Sequence, residues 1–229
     1  MLNLTVLSVN FQPNDFDSIF QGLSLPFRLN KFSSPFPPSI YFLRNQPSIT
    51  ILELPKYSHT DYDYWEEFHD RTILPSLRHV KAPDGLIWSL VPGRPVTKAV
   101  CLGAGPLLNT VTLDTVASSS SGVIWIECVI LMSSWEYCVQ ELVASTLSMT
   151  LERLCLRLLE HDTQQASAPR YQLRLLSGLS KLKRLDLKIF ESKKPSKHIS
   201  DWLGRMTLDR WKSLVPSLEV VTSLGRVID

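Results

Sequence analysis

The 229-residue sequence lacks several features that would assign a function at once. Its four cysteines form no CxxC pair and have no nearby histidine pair, which excludes a recognisable zinc motif and a disulfide framework. The formal net charge is only +2, so the charge of the whole molecule gives no reason to expect nucleic-acid or membrane binding. We expect reduced, buried thiols in an intracellular protein.

The sequence also has no apolar run long enough for a membrane helix. The longest run, Val123 to Met132, is half the length of about 20 residues that a spanning helix needs, and it includes Glu127. Met1 to Asn10 lacks the positive flank and the cleavage site of a secretory signal. These absences predict no membrane association and a cytoplasmic or nuclear location.

The common catalytic motifs are missing as well. There is no P-loop, HExxH or GxSxG motif, and Gly103-Ala-Gly105 is followed by Pro106, which has no amide to offer a phosphate. The five histidines are scattered along the chain. We therefore expect no enzymatic activity, no cofactor and no metal site. The alternative is an α/β hydrolase or transferase whose catalytic residues lie far apart in sequence.

What the sequence does contain is a repeat. Leu151 to Leu156 and Leu182 to Leu187 both match LxxLxL, the strand signature of leucine-rich repeats. Looser copies begin at Leu4, Ile49, Leu77, Leu108 and Ile126. Helical segments lie between the strands. One of them follows a capping box at Ser133–Glu136 and carries an apolar stripe of Trp135, Cys138, Val139, Leu142 and Val143.

The recurrence of helix and strand predicts an α/β fold. A single unit of this kind cannot bury its apolar face alone, whereas stacked units share one core. We expect an irregular leucine-rich-repeat solenoid over residues 1–229, a single domain with a curved parallel sheet on the concave face and helices and loops on the convex face. The pattern leaves open the role of residues 116–135, the exact repeat count and register, and the oligomeric state.

Two phrases of the sequence resemble a known family. The first has two parts, Leu74-Pro-Ser-Leu77-Arg-His-Val80-Lys-Ala-Pro83 and then Leu90-Val-Pro-Gly-Arg-Pro95-Val96. The second is Phe42-Leu-Arg-Asn-Gln-Pro-Ser48-Ile49. Together with the C-terminal repeats, they are similar to the leucine-rich-repeat portion of fungal F-box proteins. In that family an N-terminal F-box binds a ubiquitin-ligase adaptor, and the repeats hold the substrate. No F-box is seen in this sequence, which argues against adaptor binding.

The strand pattern predicts which residues would contact a partner. In LxxLxL the leucines point inward, and the residues between them lie on the opposite, concave face. The basic segment from Lys181 to His198 favours a protein partner with an acidic surface, and its single aromatic residue, Phe190, gives little reason to expect nucleic acid. The expected binding residues are Glu53, His79, Lys81, Thr112, Asp114, Arg153, Arg157, Arg184, Asp186 and Lys188.

The resemblance implies a protein-binding scaffold that serves as the substrate-recognition part of a ubiquitin-ligase receptor. Two other interpretations stay open at this point. The face residues would serve merely to keep the sheet soluble, or the chain would be a truncated repeat fragment without an independent role.

Overall fold

The structure is a computed structural model that describes residues 4–9, 26–35, 38–54, 66–102, 110–159, 173–189, 203 and 205–228. The chain divides into two compact units. Unit 1 comprises Met1–Leu102 and Ser118–Gly122, and unit 2 comprises Gly103–Ala117 and Val123–Asp229. Each unit contains parallel strands and helices, so the predicted α/β class is confirmed.

Unit 1 contains five described strands that pair in chain order. All the pairs are parallel, which requires a crossover segment between successive strands. The strands are β1 (Val6–Ser8), β2 (Lys31–Ser33), β3 (Ile51–Glu53), β4 (His79–Ala82) and β5 (Lys98–Cys101). Two helices, α1 (Ile40–Arg44) and α2 (Asp84–Leu90), lie in the crossovers.

Unit 2 contains the longer strands. They are β6 (Trp125–Leu131), β7 (Arg153–Leu159), β8 (Arg184–Ile189), β9 (Val220–Ser223) and β10 (Arg226–Ile228). The first four pair in parallel in chain order. β10 returns antiparallel to β9 through Leu224 and Gly225, which both have positive φ as a tight two-residue hairpin requires.

The helices of unit 2 are α3 (Thr110–Ala117), α4 (Trp135–Ala144) and α5 (Leu208–Leu214), with 3₁₀ turns at Thr146–Met149 and Leu173–Gly178. Four residues of the predicted α4 stripe, Trp135, Cys138, Val139 and Leu142, are buried. The predicted capping box is wrong, because a 3₁₀ turn precedes α4 and its N-cap residue, Ser134, makes no side-chain cap hydrogen bond. No helix in the described ranges combines the length and hydropathy needed to cross a bilayer.

One backbone contact recurs at nearly every step within both units. The carbonyl oxygen of the residue just before a strand accepts two hydrogen bonds from the next strand, from the amide of its first residue and the amide before it. Thr5, for example, accepts from Asn30 at 2.8 Å and from Lys31 at 3.0 Å. The same contact is made by the carbonyls of Asn30, Thr50, Arg78, Ile124, Glu152 and Lys183. Each strand therefore starts in the same register as its neighbour.

Side chains alternate between the two faces of each sheet. In unit 2, Ile126, Cys128 and Ile130 line a small apolar void together with residues of α3 and α4, so these alternate positions face the helices. In unit 1, Phe32 faces α1, where its ring centroid lies 5.0 Å from that of Phe42. The residues that alternate with these helix-facing positions form the opposite face of each sheet, which is the candidate site.

An arginine fastens the crossover that contains α2. Arg94 lies between α2 and β5 and is only 1% exposed. Its guanidinium donates only to main-chain carbonyl oxygens, at 2.7–3.1 Å, those of Phe68, Asp70, Ile73, Ser89 and Leu90. Burial lowers the pKa of Arg94 to about 10, which still leaves the guanidinium protonated at neutral pH.

The serine run after α3 holds this loop in place. The Ser119 hydroxyl donates to the carbonyl of Val96 at 2.6 Å and lies 2.9 Å from the carbonyl of Arg94. The amide of Ser120 also donates to the Arg94 carbonyl. Residues 118–122 thus belong to unit 1, which gives a structural role to part of the segment that the sequence left open.

Candidate functional site

The candidate site in unit 2 is the sheet face opposite the helices, called here the polar face. It is formed by alternate residues of β6, β7 and β8, because the positions between them point to the helices. The register places side chains of successive strands side by side, so that residues about 30 positions apart in sequence become neighbours. The polar face comprises Trp125, Glu127, Arg153, Arg157, Arg184, Asp186 and Lys188.

Asp186 lies at the centre of the polar face and is only 1% exposed. Arg153 donates from Nε and Nη2 to Oδ2 of Asp186 at 3.0 and 2.9 Å. Arg184 donates from Nε to both carboxylate oxygens at 3.0 and 3.1 Å. The guanidinium carbon of Arg153 also lies 3.8 Å from the ring centroid of Trp125, a cation–π contact. One carboxylate thus orients two arginines.

The pKa of Asp186 reflects this arrangement. Burial alone would raise the pKa of the carboxyl, but the neighbouring Thr222 hydroxyl and the two arginines outweigh that effect and hold the pKa below its usual value. Thr222 is the register partner of Asp186 on β9, although its hydroxyl falls short of hydrogen-bond geometry with any described group. Asp186 is therefore ionised at neutral pH.

A second ion pair lies beside the first. Arg157 donates to Glu127, its neighbour across the β6–β7 pair, and Glu127 is buried. Cys155, between the two arginines of β7, is buried, and burial raises the pKa of its thiol to about 11. Lys188 is exposed, and among the described residues it forms no ion pair. Lys188 is thus the cation of the polar face that is most available to a partner.

The corresponding face of unit 1 is described separately. Lys31 forms an ion pair of 2.9 Å with Glu53, and both side chains are about one-quarter to one-third exposed. His79 has a buried Nε2 without a hydrogen-bond partner among the described residues. Burial, aided by the positive charge of Lys98, lowers the pKa of His79 to about 4. His79 is consequently neutral at physiological pH and adds no charge to this face.

Eight of the ten predicted binding residues lie on these two faces. Glu53, His79 and Lys81 are in unit 1, and Arg153, Arg157, Arg184, Asp186 and Lys188 are in unit 2. The placement of the other two, Thr112 and Asp114, on a concave strand is wrong, because both lie in helix α3. Asp114 instead accepts hydrogen bonds from the amide and hydroxyl of Thr146, at 2.8 and 2.9 Å.

The sequence pattern did not identify Trp125 and Glu127 as residues of the polar face. It started the repeat at Ile126, whereas the structure places Ile126 in the inward slot and Val123 at the start. The signal was present, because Val123-Ile-Trp-Ile126-Glu-Cys128 also fits the strand pattern with a cysteine in its last slot. Lys31 was also not predicted. The reason is that β2, which follows Leu29, contains only one large apolar residue, Phe32.

One serine and one histidine lie close together in unit 1. The Ser89 hydroxyl lies 3.4 Å from Nε2 of His69, and Ser89 is a buried residue of α2. Two cavities of unit 2, one beside the 3₁₀ turn Leu173–Gly178 and one between β6 and helices α3 and α4, have no histidine or carboxylate among their described lining residues. In the described ranges, no three histidine, cysteine or acidic side chains are grouped in a way that could hold a metal ion.

Comparison with known proteins adds no assignment. No protein-family model matches the chain, and no curated protein matches it significantly. The functional interpretation therefore rests on the geometry of the two sheet faces.

Proposed function

We propose that the chain is a protein-binding repeat scaffold that uses the polar face to hold a partner with an acidic surface. The observation that carries this proposal is the polar face itself, a row of oriented arginines and a lysine beside an aromatic ring. Arginine and tryptophan are the residues most often found at the energetic centre of protein interfaces. Contacts with a fixed carboxylate restrict the arginine side chains before a partner binds. Binding then costs less conformational entropy.

The finer fold that goes with this function is a leucine-rich-repeat solenoid. Two observations support it. The same carbonyl contact joins strand to strand throughout both units, and an apolar residue two positions before the strand is buried in each case from β2 to β9. These residues are Leu29, Ile49, Leu77, Val96, Val123, Leu151, Leu182 and Leu218. A recurrent unit of this kind is what stacked repeats require.

On this proposal the chain acts like the substrate-recognition part of an F-box protein. Four cations and two carboxylates give the polar face a net charge of +2. Because Asp186 and Glu127 already neutralise part of the arginine charge, the face selects a partner by the direction of its remaining donors as well as by charge. Adaptor binding has no support from these residues.

Lys188 is the residue on which to test the proposal. Reversal of Arg153 or Arg184 would replace one of the two cations paired with the buried Asp186 by a second negative charge and would disturb the fold together with the surface. Lys188→Glu changes an exposed side chain that supports no described contact. We expect the Lys188→Glu variant to bind its acidic partner at least about tenfold more weakly, as is typical of a charge reversal at an interface.

The measurement is affinity capture from cell extract, followed by titration of the recovered protein against each variant. Lys212→Glu is the matched control, because Lys212 is an exposed lysine of α5 and lies away from the strands of the polar face. Retention of a partner by the wild type and by Lys212→Glu, but not by Lys188→Glu, would support the proposal. Equal retention by all three proteins would contradict it.

A further inference from the structure

Unit 2 has a second cationic site, on the side of the sheet where the helices lie. A cavity of about 480 Å³ opens between the 3₁₀ turn Leu173–Gly178 and helix α5. Three arginines line it: Arg174 from the turn, Arg205 from the segment before α5, and Arg210 from the first turn of the helix. No acidic residue is found among its described lining residues.

The three arginines come from separate positions but line one cavity. The Arg210 guanidinium donates from Nη1 to the carbonyl of Arg205 at 3.2 Å, which fixes its head beside that segment. Thr207 caps α5 by accepting the amide of Arg210, and the buried Trp211 anchors the helix on its other side. Among the residues that the structure describes, none of the three arginines forms an ion pair.

The chemistry of the site favours a phosphate group over a carboxylate. One arginine fork already satisfies a carboxylate, which offers two oxygens and a single charge. A phosphate monoester offers three acceptor oxygens and a charge of about −1.5 to −2 at neutral pH, which suits guanidinium groups that approach from three directions. The three arginine side chains are exposed to solvent, and an anion in the cavity would interact with all three at once.

The volume and the apolar lining of the cavity indicate that its ligand also has an apolar part. Its volume falls in the usual range for small-molecule sites, about 300–1,000 Å³, and exceeds what an inorganic phosphate would fill. Leu173, Met206 and Leu214 provide apolar surface beside the arginines. We propose that this cavity binds a small organic phosphate, with the phosphate on the three arginines and an apolar moiety on these three side chains.

The test is calorimetric titration of the full chain at constant ionic strength with phenyl phosphate, inorganic phosphate and benzoate. We expect saturable binding of phenyl phosphate that is tighter than binding of either other probe. Arg174→Ala and Arg205→Ala should each weaken it about tenfold or more, the range expected for loss of a charge-assisted hydrogen bond. Both side chains are exposed, so the fold, checked by circular dichroism, should be unchanged.

Lys212→Ala is the control, because Lys212 is an exposed cation of the same helix that does not line the cavity. Its affinity for phenyl phosphate should match that of the wild type. The proposal is overturned if the wild type gives no saturable binding of phenyl phosphate, if benzoate binds equally well, or if Lys212→Ala weakens binding as much as the arginine variants. The site is independent of the polar face, so either proposal can fail without the other.

Discussion

Replacing Arg94 by alanine should lower the free energy of unfolding by about 3–5 kcal/mol, the largest effect that we expect from a single substitution. The guanidinium serves five main-chain carbonyl oxygens, from the segment Phe68–Ile73 and from the end of α2. Each buried carbonyl left without a donor costs about 1–3 kcal/mol. The total is smaller than the sum, because water can enter the space left by the side chain.

Urea denaturation followed by circular dichroism would measure this loss. Arg94→Lys should be destabilised nearly as much, because a single ammonium group cannot reach carbonyls that lie in a planar fork around the guanidinium. Arg78→Ala is the matched control, since Arg78 is an exposed arginine of the same unit and should change stability by less than about 0.5 kcal/mol. If the unfolding midpoint of Arg94→Ala equals that of Arg78→Ala, the role given to Arg94 is wrong.

Asp186→Ala should cost about 2–3 kcal/mol at pH 7. Removing one member of a fully buried ion pair costs about 3–5 kcal/mol, but the side chains of Arg153 and Arg184 are 29% and 41% exposed, so that solvent screens part of the loss. The two guanidinium groups would then repel each other across the β7–β8 pair. Thermal or urea unfolding of the purified variant measures the difference from the wild type.

The same carboxylate predicts how this difference depends on pH. The folded-state pKa of Asp186 is lowered, so its ionised form is favoured by folding and its contribution is present above the unfolded pKa of about 3.9. That contribution is lost as the pH falls through the lowered folded-state value. The stability of the wild type and of Asp186→Asn should therefore converge below about pH 4, because the other carboxylates are common to both proteins. A constant difference from pH 7 down to pH 2.5 would contradict this assignment.

The sequence predicted several strands in the correct place. LxxLxL located β7 and β8, and its looser copies at Leu4, Ile49 and Leu77 located β1, β3 and β4, whereas the copy at Ile126 fell within β6 in the wrong slot. The copy at Leu108 failed because Leu113 and Val116, which are both buried, lie three residues apart on one face of helix α3. β2 was missed because Phe32 is its only large apolar residue, which leaves the repeat pattern without its last slot.

The ion pairs of the polar face could not be predicted at all. Arg153 meets Asp186 and Arg157 meets Glu127 only through the register of parallel strands that are separated by about 30 residues. The two LxxLxL motifs place Arg153 level with Arg184, as observed, but they do not show which charged side chains pair. The phrases that carry the family resemblance also acquire a different meaning, because Arg94, Phe42 and Gln46 are all buried parts of the scaffold. The side-chain oxygen of Gln46 accepts from the amide of Leu29, and its side-chain nitrogen donates to the carbonyl of Phe27.

Because the same carbonyl contact joins each pair of strands, the register between them does not depend on the length of the crossover that connects them. In unit 1, β4 and β5 start 19 residues apart, at His79 and Lys98. In unit 2, β8 and β9 start 36 residues apart, at Arg184 and Val220, yet both pairs keep the same parallel register. The cost of closing a longer loop rises only slowly with its length. Insertions that leave buried anchors such as Arg94 in place thus cost the sheet little, and the crossovers are the part of the chain in which evolution can add new surfaces while the strand face stays constant.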